Sequence, residues 1–262
     1  MERTEISELG EFGLIQHLTR ELNHQQPSTL RGVGDDAAVI DTMGKRLVVS
    51  TDMLCEGVHF DLSYSPLKHL GYKAVVVNLS DICAMNAIPT QVVVALGLSN
   101  RFSVEAVDEL YEGIKLACEV YKTDLVGGDT TSSPSGLNLS VTAMGLADAD
   151  ALVGRDGSGD GDLLVVSGDL GAAYMGLQIL EREKTVYEAA PTAQPELADF
   201  AYLLERQLKP EARVDVVREM GDLGLKPTSM IDISDGLSSE IMHLGTASGV
   251  GFKVYEDKLP ID

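Results

Sequence analysis

The sequence predicts a mixed α/β chain organised in two domains, and three observations carry that expectation. Apolar residues recur at helical spacing in some segments and alternate or run together in others, so helices and strands interleave. Residues 147–161 are rich in Asp and Gly, a change of composition that places a boundary between residues 1–148 and 149–262. The length of 262 residues suits one large domain or two ordinary ones, at roughly 100–200 residues each.

Phe12, Ile15, Leu18 and Leu22 define a first amphipathic helix. After a polar stretch, the glycine turn Arg31-Gly-Val-Gly-Asp-Asp-Ala-Ala-Val-Ile40 leads into a strand. Leu47-Val48-Val49 reads as a short buried strand ending at Ser50-Thr51-Asp52. Ser65-Pro66 opens a helix, since proline is tolerated in a first turn. Ala74, Asn78, Asp81 and Met85 share one face of it, and Asn86 suits a left-handed stop. A strand follows at 91–98. Ser103 caps a helix carrying Val107, Leu110, Ile114 and Ala117. Leu125-Val126 enters the turn Gly127-Gly128-Asp129-Thr130, and the alternation at 137–143 marks a half-exposed strand. Beyond the boundary, a strand is expected at 163–167 and helices near 172–183 and 196–207. Ile231-Asp-Ile-Ser-Asp-Gly-Leu237 reads as a strand end turning into a helix.

Composition narrows the function. The chain is 44% hydrophobic, enough for a sizeable core, yet has no apolar run near the ~18–20 residues a membrane span needs. Its N-terminus lacks the apolar region of a secretory signal, so a cytoplasmic protein without a membrane partner is expected. Cys55, Cys83 and Cys118 are scattered, which disfavours a disulfide framework or a zinc site. A net charge of −21 repels a nucleic-acid backbone, so no nucleic-acid partner is expected.

The acids are not scattered. Five elements stand out: Gly34-Asp35-Asp36, Ser50-Thr51-Asp52, Asn78-x-x-Asp81, Gly127-Gly128-Asp129-Thr130 and Asp232-x-Ser234-Asp235-Gly236. Four are expected in turns after apolar strands, and one on a helix face. Magnesium takes one or two carboxylates plus phosphate oxygens, so aspartates from several loops can share several ions around one polyphosphate. Glycines let backbone N–H groups approach phosphate without an intervening Cβ. A carboxylate on an inward helix face needs a partner, and Lys73, eight residues before Asp81, is the candidate. There is no Gly-x4-Gly-Lys-Ser/Thr loop and no kinase-type catalytic loop. Gly168-x-x-Gly171 before a helix is a weaker phosphate-cradling candidate.

These pieces resemble the bacterial thiamine-monophosphate kinases, of the superfamily that includes aminoimidazole ribonucleotide synthetase. The resemblance rests on Gly10-Glu11-Phe12, Gly32-Val-Gly-Asp-Asp36, Ser50-Thr-Asp-Met-Leu54 with Gly57-Val-His59-Phe60, and Lys73-x4-Asn78-Leu-Ser-Asp81. It continues through Leu125-Val-Gly-Gly-Asp-Thr130, Val153-Gly-Arg155 and Met230-Ile-Asp-Ile-Ser-Asp-Gly236. The pieces stand in family order along nearly the whole chain. The resemblance implies an N-terminal α/β domain that dimerises and a C-terminal α/β sandwich, incomplete at its C-terminus. It implies transfer of a phosphoryl group from ATP to thiamine monophosphate, giving thiamine diphosphate, by direct in-line transfer with several magnesium ions. Asp36, Ser50, Thr51, Asp52, Asp81, Asp129, Asp232 and Asp235 would be magnesium ligands. Tyr111, Gly127, Gly128, Arg155 and Ser234 would contact ATP, and His59 the thiamine phosphate. No side chain is singled out as a general acid or base.

Two departures accompany the resemblance. Asn86-Ala87 stands where the family has Gly-Ala. The family also continues past the position of Asp262 with a Gly-Gly-Glu-Asp-Tyr segment and a late aromatic implicated in holding thiamine. A homodimer is implied, and the strands at 91–98 and 137–143 offer apolar faces for its interface. The alternatives are another ATP-dependent synthetase of the superfamily, or a non-catalytic magnesium–nucleotide-binding protein. Selenophosphate synthetase is disfavoured because the N-terminal glycine-rich region lacks a Cys.

Overall fold

In the computed structural model, residues 4–31, 39–192, 195 and 197–261 are described. Three strands, β3 (Arg46–Cys55), β4 (Ile88–Leu98) and β6 (Asn138–Ala147), join β5 (Asp124–Ser132) in one sheet of order β3-β6-β4-β5. Strand β6 runs antiparallel to both β3 and β4, whereas β4 and β5 are parallel. A parallel pair needs a crossover. Here it is α3 (Val104–Tyr121), whose Ser103 cap accepts the backbone N–H of Ala106 as the sequence predicts. A two-stranded ribbon, β1 (Thr29–Arg31) with β2 (Val39–Ile40), lies outside the sheet. Helix α1 (Ile6–Thr19) leads into an arm before β1 that is clipped to the start of β5. There the buried Asp124 accepts from the backbone N–H groups of Gln25 and Gln26 and from Thr29 Oγ1.

The pleat sorts the sheet residues between two faces. Val92, Val94 and Leu96 on β4, with Leu139, Val141 and Ala143 on β6, are almost fully buried and form the core beneath α2 (Leu67–Ala84) and α3. Residues in between point to the opposite face, which no helix among the described residues covers. There β3 leaves Leu47, Val49 and Met53 44%, 55% and 58% exposed. The predicted short buried strand at Leu47–Val49 is thus corrected. β3 is a ten-residue strand at the edge of the sheet, and Ser50-Thr51-Asp52 lies inside it rather than in a turn. Gly127–Thr130 likewise belongs to β5.

Helix α2 is held close to its neighbours by glycine. A Cβ on Gly71 would lie 2.0 Å from the Leu110 carbonyl oxygen, and one on Gly113 would lie 1.8 Å from that of Lys68. The α2 and α3 backbones therefore touch at a reciprocal pair of glycines. On the sheet side, a Cβ on Gly145 would lie 2.3 Å from Ile82 Cγ2, so β6 also gives way to α2. The helix stops where Asn86 takes a left-handed conformation (φ 54°) and its amide donates to the Ala151 carbonyl.

The chain then adds α4 (Ala172–Ala189), α5 (Ala201–Leu208), α6 (Val214–Asp222) and α7 (Leu237–Ser248). The predicted strand at 163–167 does not form, and the chain enters α7 without a strand at 231–233. A ladder needs a neighbour, and among the described residues no strand follows residue 147. Leu163 and Val165 are accordingly 89% and 82% exposed. The helix expected at 196–207 begins later, as a 3-10 turn at Ala198–Phe200 that runs into α5. The helical half docks on the first. Val214 and Val217 of α6 enter the common core, and Lys184 of α4 pairs with Asp61 at 2.7 Å.

Replacing Gly113 with Ala tests the α2–α3 crossing. Added helix propensity is worth ~1 kcal/mol, but overpacking costs about 1–3 kcal/mol, at the upper end against a backbone oxygen. Gly113→Ala should lower the urea midpoint and the Tm; an unchanged or raised midpoint would show that the helices separate freely.

Candidate functional site

The seat of α2 sets its polar face against β3. Asn78 is fully buried there and bridges the two elements: its Nδ2 donates to the Ala74 carbonyl at 2.9 Å, and its Oδ1 accepts the Asp52 backbone N–H at 2.8 Å. One helical turn on, Asp81 Oδ2 accepts the Ser50 hydroxyl at 2.5 Å. Ser50 and Asp52 pair in register with the buried Ala143 and Val141, so both face the helix layer. A third carboxylate arrives from the loop before α7. Asp232 Oδ2 accepts the hydroxyls of Ser80, at 2.9 Å, and Ser234, at 3.2 Å. That loop lies against the segment carrying Arg155: the Met230 N–H donates to the Gly154 carbonyl, and a Cβ on Gly157 would lie 1.8 Å from the Thr228 oxygen.

The electrostatics show how close these groups are. Burial raises the Asp52 carboxyl above the ordinary range and the charge of Asp232 raises it further, while His59 opposes the shift. Burial also raises Asp81. The Ser50 hydrogen bond works against that, Asp232 and Asp52 add to it, and Arg155 opposes it. The charge of Asp232, from the α7 loop, thus disfavours ionisation of both Asp52 on β3 and Asp81 on α2, with His59 and Arg155 as partial compensation. The oxygens of these carboxylates are the hard donors that suit magnesium. Among the described residues no three or more His, Cys, Asp or Glu side chains converge closely enough to enclose a metal ion alone.

The other predicted site residues fall elsewhere. Thr51 lies on the open face, paired with Thr142, whose hydroxyl donates to Thr51 Oγ1 at 3.0 Å. Asp129 registers with Ala95, between the buried Val94 and Leu96, and so also points to the open face. Thr51 and Asp129 sit on opposite edge strands, roughly 14 Å apart at ~4.8 Å per strand. Within one chain they cannot hold the same ion. Gly128 is explained by packing, because a Cβ there would lie 2.1 Å from the Val94 carbonyl oxygen; Gly127 has room for one. Tyr111 is 7% exposed in the core, where burial pushes its hydroxyl up to about 12. Asp235 is exposed at the α7 entrance, and its backbone N–H donates to Glu240. Asp36 lies outside the described residues.

His59, whose charge acts on Asp52, lines a cavity of about 260 Å³ between the β3–α2 loop and helices α4 and α5. Its Nδ1 accepts the Cys55 backbone N–H at 2.9 Å. Asp61, Tyr64, Lys73, Glu181 and Lys184 share the lining. Lys184 holds the Asp61 carboxyl at about 2, and Tyr64 donates to Glu181.

Residues 34–147 match the family model for the N-terminal domain of AIR synthase related proteins. The thiamine-monophosphate kinase of Aquifex aeolicus is 38% identical over 256 residues, 98% of this chain and 76% of the relative. The chain belongs to the thiamine-monophosphate kinase family. A ThiL structure described as complexed with AMPPCP and TMP aligns with a TM-score of 0.74 and 35% identity, covering 100% of this chain and 78% of that one. The thiamine-monophosphate kinase structure from Stenotrophomonas maltophilia gives 0.79 at 34% identity, over 95% and 74% of the two chains.

Within this family member, sequence reasoning missed two supports and expected one pair that is not there. Asn78 was visible as part of a motif, but its bridge between α2 and the Asp52 backbone was not. Ser80, which holds Asp232, carried one signal: a hydroxyl next to the acid of a helix motif. The expected Lys73–Asp81 pair does not form. Eight residues turn a helix by two full turns plus ~80° and advance it by ~12 Å. Lys73 instead donates to the Gln207 carbonyl at 3.0 Å, and burial lowers its pKa.

Asp81→Asn separates repulsion from packing, since Asn can still accept the Ser50 hydroxyl. A carboxyl whose folded pKa is raised destabilises the protein above that pKa and ceases to do so below the unfolded value. In EDTA, Asp81→Asn should therefore melt above the parent at pH 7–8, with the gain vanishing as the pH falls through the ordinary carboxylate range. A lower Tm for the variant at neutral pH would contradict this account.

Proposed function

We propose that the protein phosphorylates thiamine monophosphate to thiamine diphosphate with ATP, by direct in-line transfer. The observation that carries this reading is the alignment of the whole chain with a ThiL structure that holds AMPPCP, an ATP analogue, together with TMP. The local geometry supports it, with hard-oxygen donors from three elements and a cavity lined by His59, which acts on Asp52.

Asp52, Asp81 and Asp232 would hold magnesium, with Ser50, Asp235 and Asp36 as further candidate ligands. When bound, magnesium supplies positive charge that neutralises the oxygens of the transferring phosphoryl group. The chain's own part is positioning. Ser50 orients Asp81, Asn78 fixes the backbone of Asp52, and Ser80 holds Asp232 against α2. Arg155, on the same side as Asp81, is suited to nucleotide phosphate; Ser234, Gly127, Gly128 and Tyr111 are nucleotide contacts by resemblance. His59 faces the acceptor cavity. A phosphate acceptor is ionised at neutral pH, so no general base is needed and no covalent intermediate is invoked.

The protein is further read as a homodimer of the cytoplasm. The uncovered sheet face, with Leu47, Val49 and Met53 exposed, is the surface suited to a second copy. A dimer closed over it would bring Thr51 and Asp129 to the subunit boundary. No described helix is long and apolar enough to cross a membrane.

The activity is tested by following thiamine diphosphate formation from ATP and thiamine monophosphate with millimolar magnesium. Asp52→Asn and Asp232→Asn should each cut kcat by about 10²-fold or more, the scale for losing a charge-stabilising group. Parent-like turnover in both variants would remove these residues from the site, and the absence of turnover in the parent would remove the activity.

Assembly is tested by sedimentation at micromolar concentration. The parent should sediment as a dimer and Val49→Asp as a monomer, since the new carboxylate would be buried in the interface without a partner. A parent monomer would overturn the dimer; a dimeric variant would move the interface away from this face.

A further inference from the structure

Glu240 lies in the first turn of α7 and is 5% exposed. Its Oε1 accepts the backbone N–H of Asp235 at 3.1 Å. Its Oε2 is buried and has no hydrogen-bond partner among the described residues. A carboxylate buried with one oxygen unpaired is a costly group to keep. The positive end of α7 offsets part of that cost. Holding the Asp235 N–H does not require the charge, because the carbonyl of a Gln would accept the same bond. The turn that Glu240 supports carries Asp232, Ser234 and Asp235. The side chain therefore brings another carboxyl group to the turn that carries two aspartates, and does so from inside the protein.

We propose that Glu240 is a further anionic member of the divalent-cation site at the Asp232–Asp235 turn. Its free oxygen holds magnesium, directly or through one of the ion's own waters, while the other oxygen fixes the turn. The inference rests on the reading of that turn as a cation site. It adds a residue that none of the acidic motifs contains and that lies one helical turn past the last of them. Partners behind the ligands of a metal are worth about 10–100-fold in affinity, so loss of the charge should be measurable.

The test is thermal melting of the full chain in EDTA and across a titration of magnesium chloride, without nucleotide, for the parent, Glu240→Gln and Asp232→Asn. Glu240→Gln keeps the acceptor for the Asp235 N–H and removes the charge. It should melt at or above the parent in EDTA and need about tenfold more magnesium for half of the thermal shift. A parent-like magnesium midpoint in Glu240→Gln overturns the inference. Asp232→Asn separates the two ideas: if it keeps the parent's magnesium response, the turn is not a cation site and both readings fall. If it loses the response while Glu240→Gln keeps it, only the role of Glu240 fails. Should Glu240→Gln not fold, Glu240→Asp and Glu240→Asn make the same comparison. The charged variant should respond at lower magnesium, and equal midpoints count against the proposal.

Discussion

The close seat of α2 is the constraint on which the candidate site depends. Two backbones touch only where side chains are absent, and here Gly71 and Gly113 remove them from both helices at one crossing. Gly145 does the same on the sheet side. The result brings a helix face within hydrogen-bonding distance of a strand, so that Asn78 reaches the backbone of Asp52 and Asp81 reaches Ser50. Core packing and site chemistry are thus one feature, seen from the apolar and the polar sides of α2.

The price of that closeness is charge. Asp52 and Asp81 are each raised by burial and by neighbouring carboxylates, and Asp232 acts on both. A protein selected for stability alone would not gather these groups, whereas one that holds polyphosphate through divalent cations gains from doing so. The supports are accordingly hydroxyls and an amide rather than lysines: Ser50, Ser80 and Ser234 orient carboxylates without cancelling their charge, and Asn78 fixes the backbone of Asp52. Lys73 sits on the same helix but is turned away to a backbone carbonyl. Arg155 is the cation that acts on the Asp81 carboxyl.

Much of this was legible in the sequence where the signal is local. Pro66 and Asn86 mark helix ends through their own backbone chemistry and Ser103 through its side-chain oxygen, and all three stand at the helix ends as read. Ser50, Asp52, Asp81 and Asp232 stood out as acid–hydroxyl motifs, and the structure brings them together. Nonlocal features were not legible. Ser50–Asp52 and Gly127–Thr130 look like turns because their residues are polar and small, yet both lie in edge strands, where one face is left open to polar groups. The faces to which Thr51 and Asp129 point follow from pairing register, which no local pattern encodes. The apolar run at 163–167 carries strand propensity, but propensity without a neighbour makes no ladder.

The alternation along β3 also limits how this surface can change. Ser50 and Asp52 face α2 while Thr51 faces away, because successive side chains on a strand point to opposite sides. Inserting or deleting one residue between Arg46 and Ser50 would rotate the whole motif: Thr51 would meet Asp81, and both partners would turn to the open face. The same slip would swing Val49 inward and strip that open face of its apolar side chains. Length changes in this part of the lineage should therefore gather in the turn before Arg46 and be purged inside the strand, even at positions whose side chains are exposed and tolerate substitution.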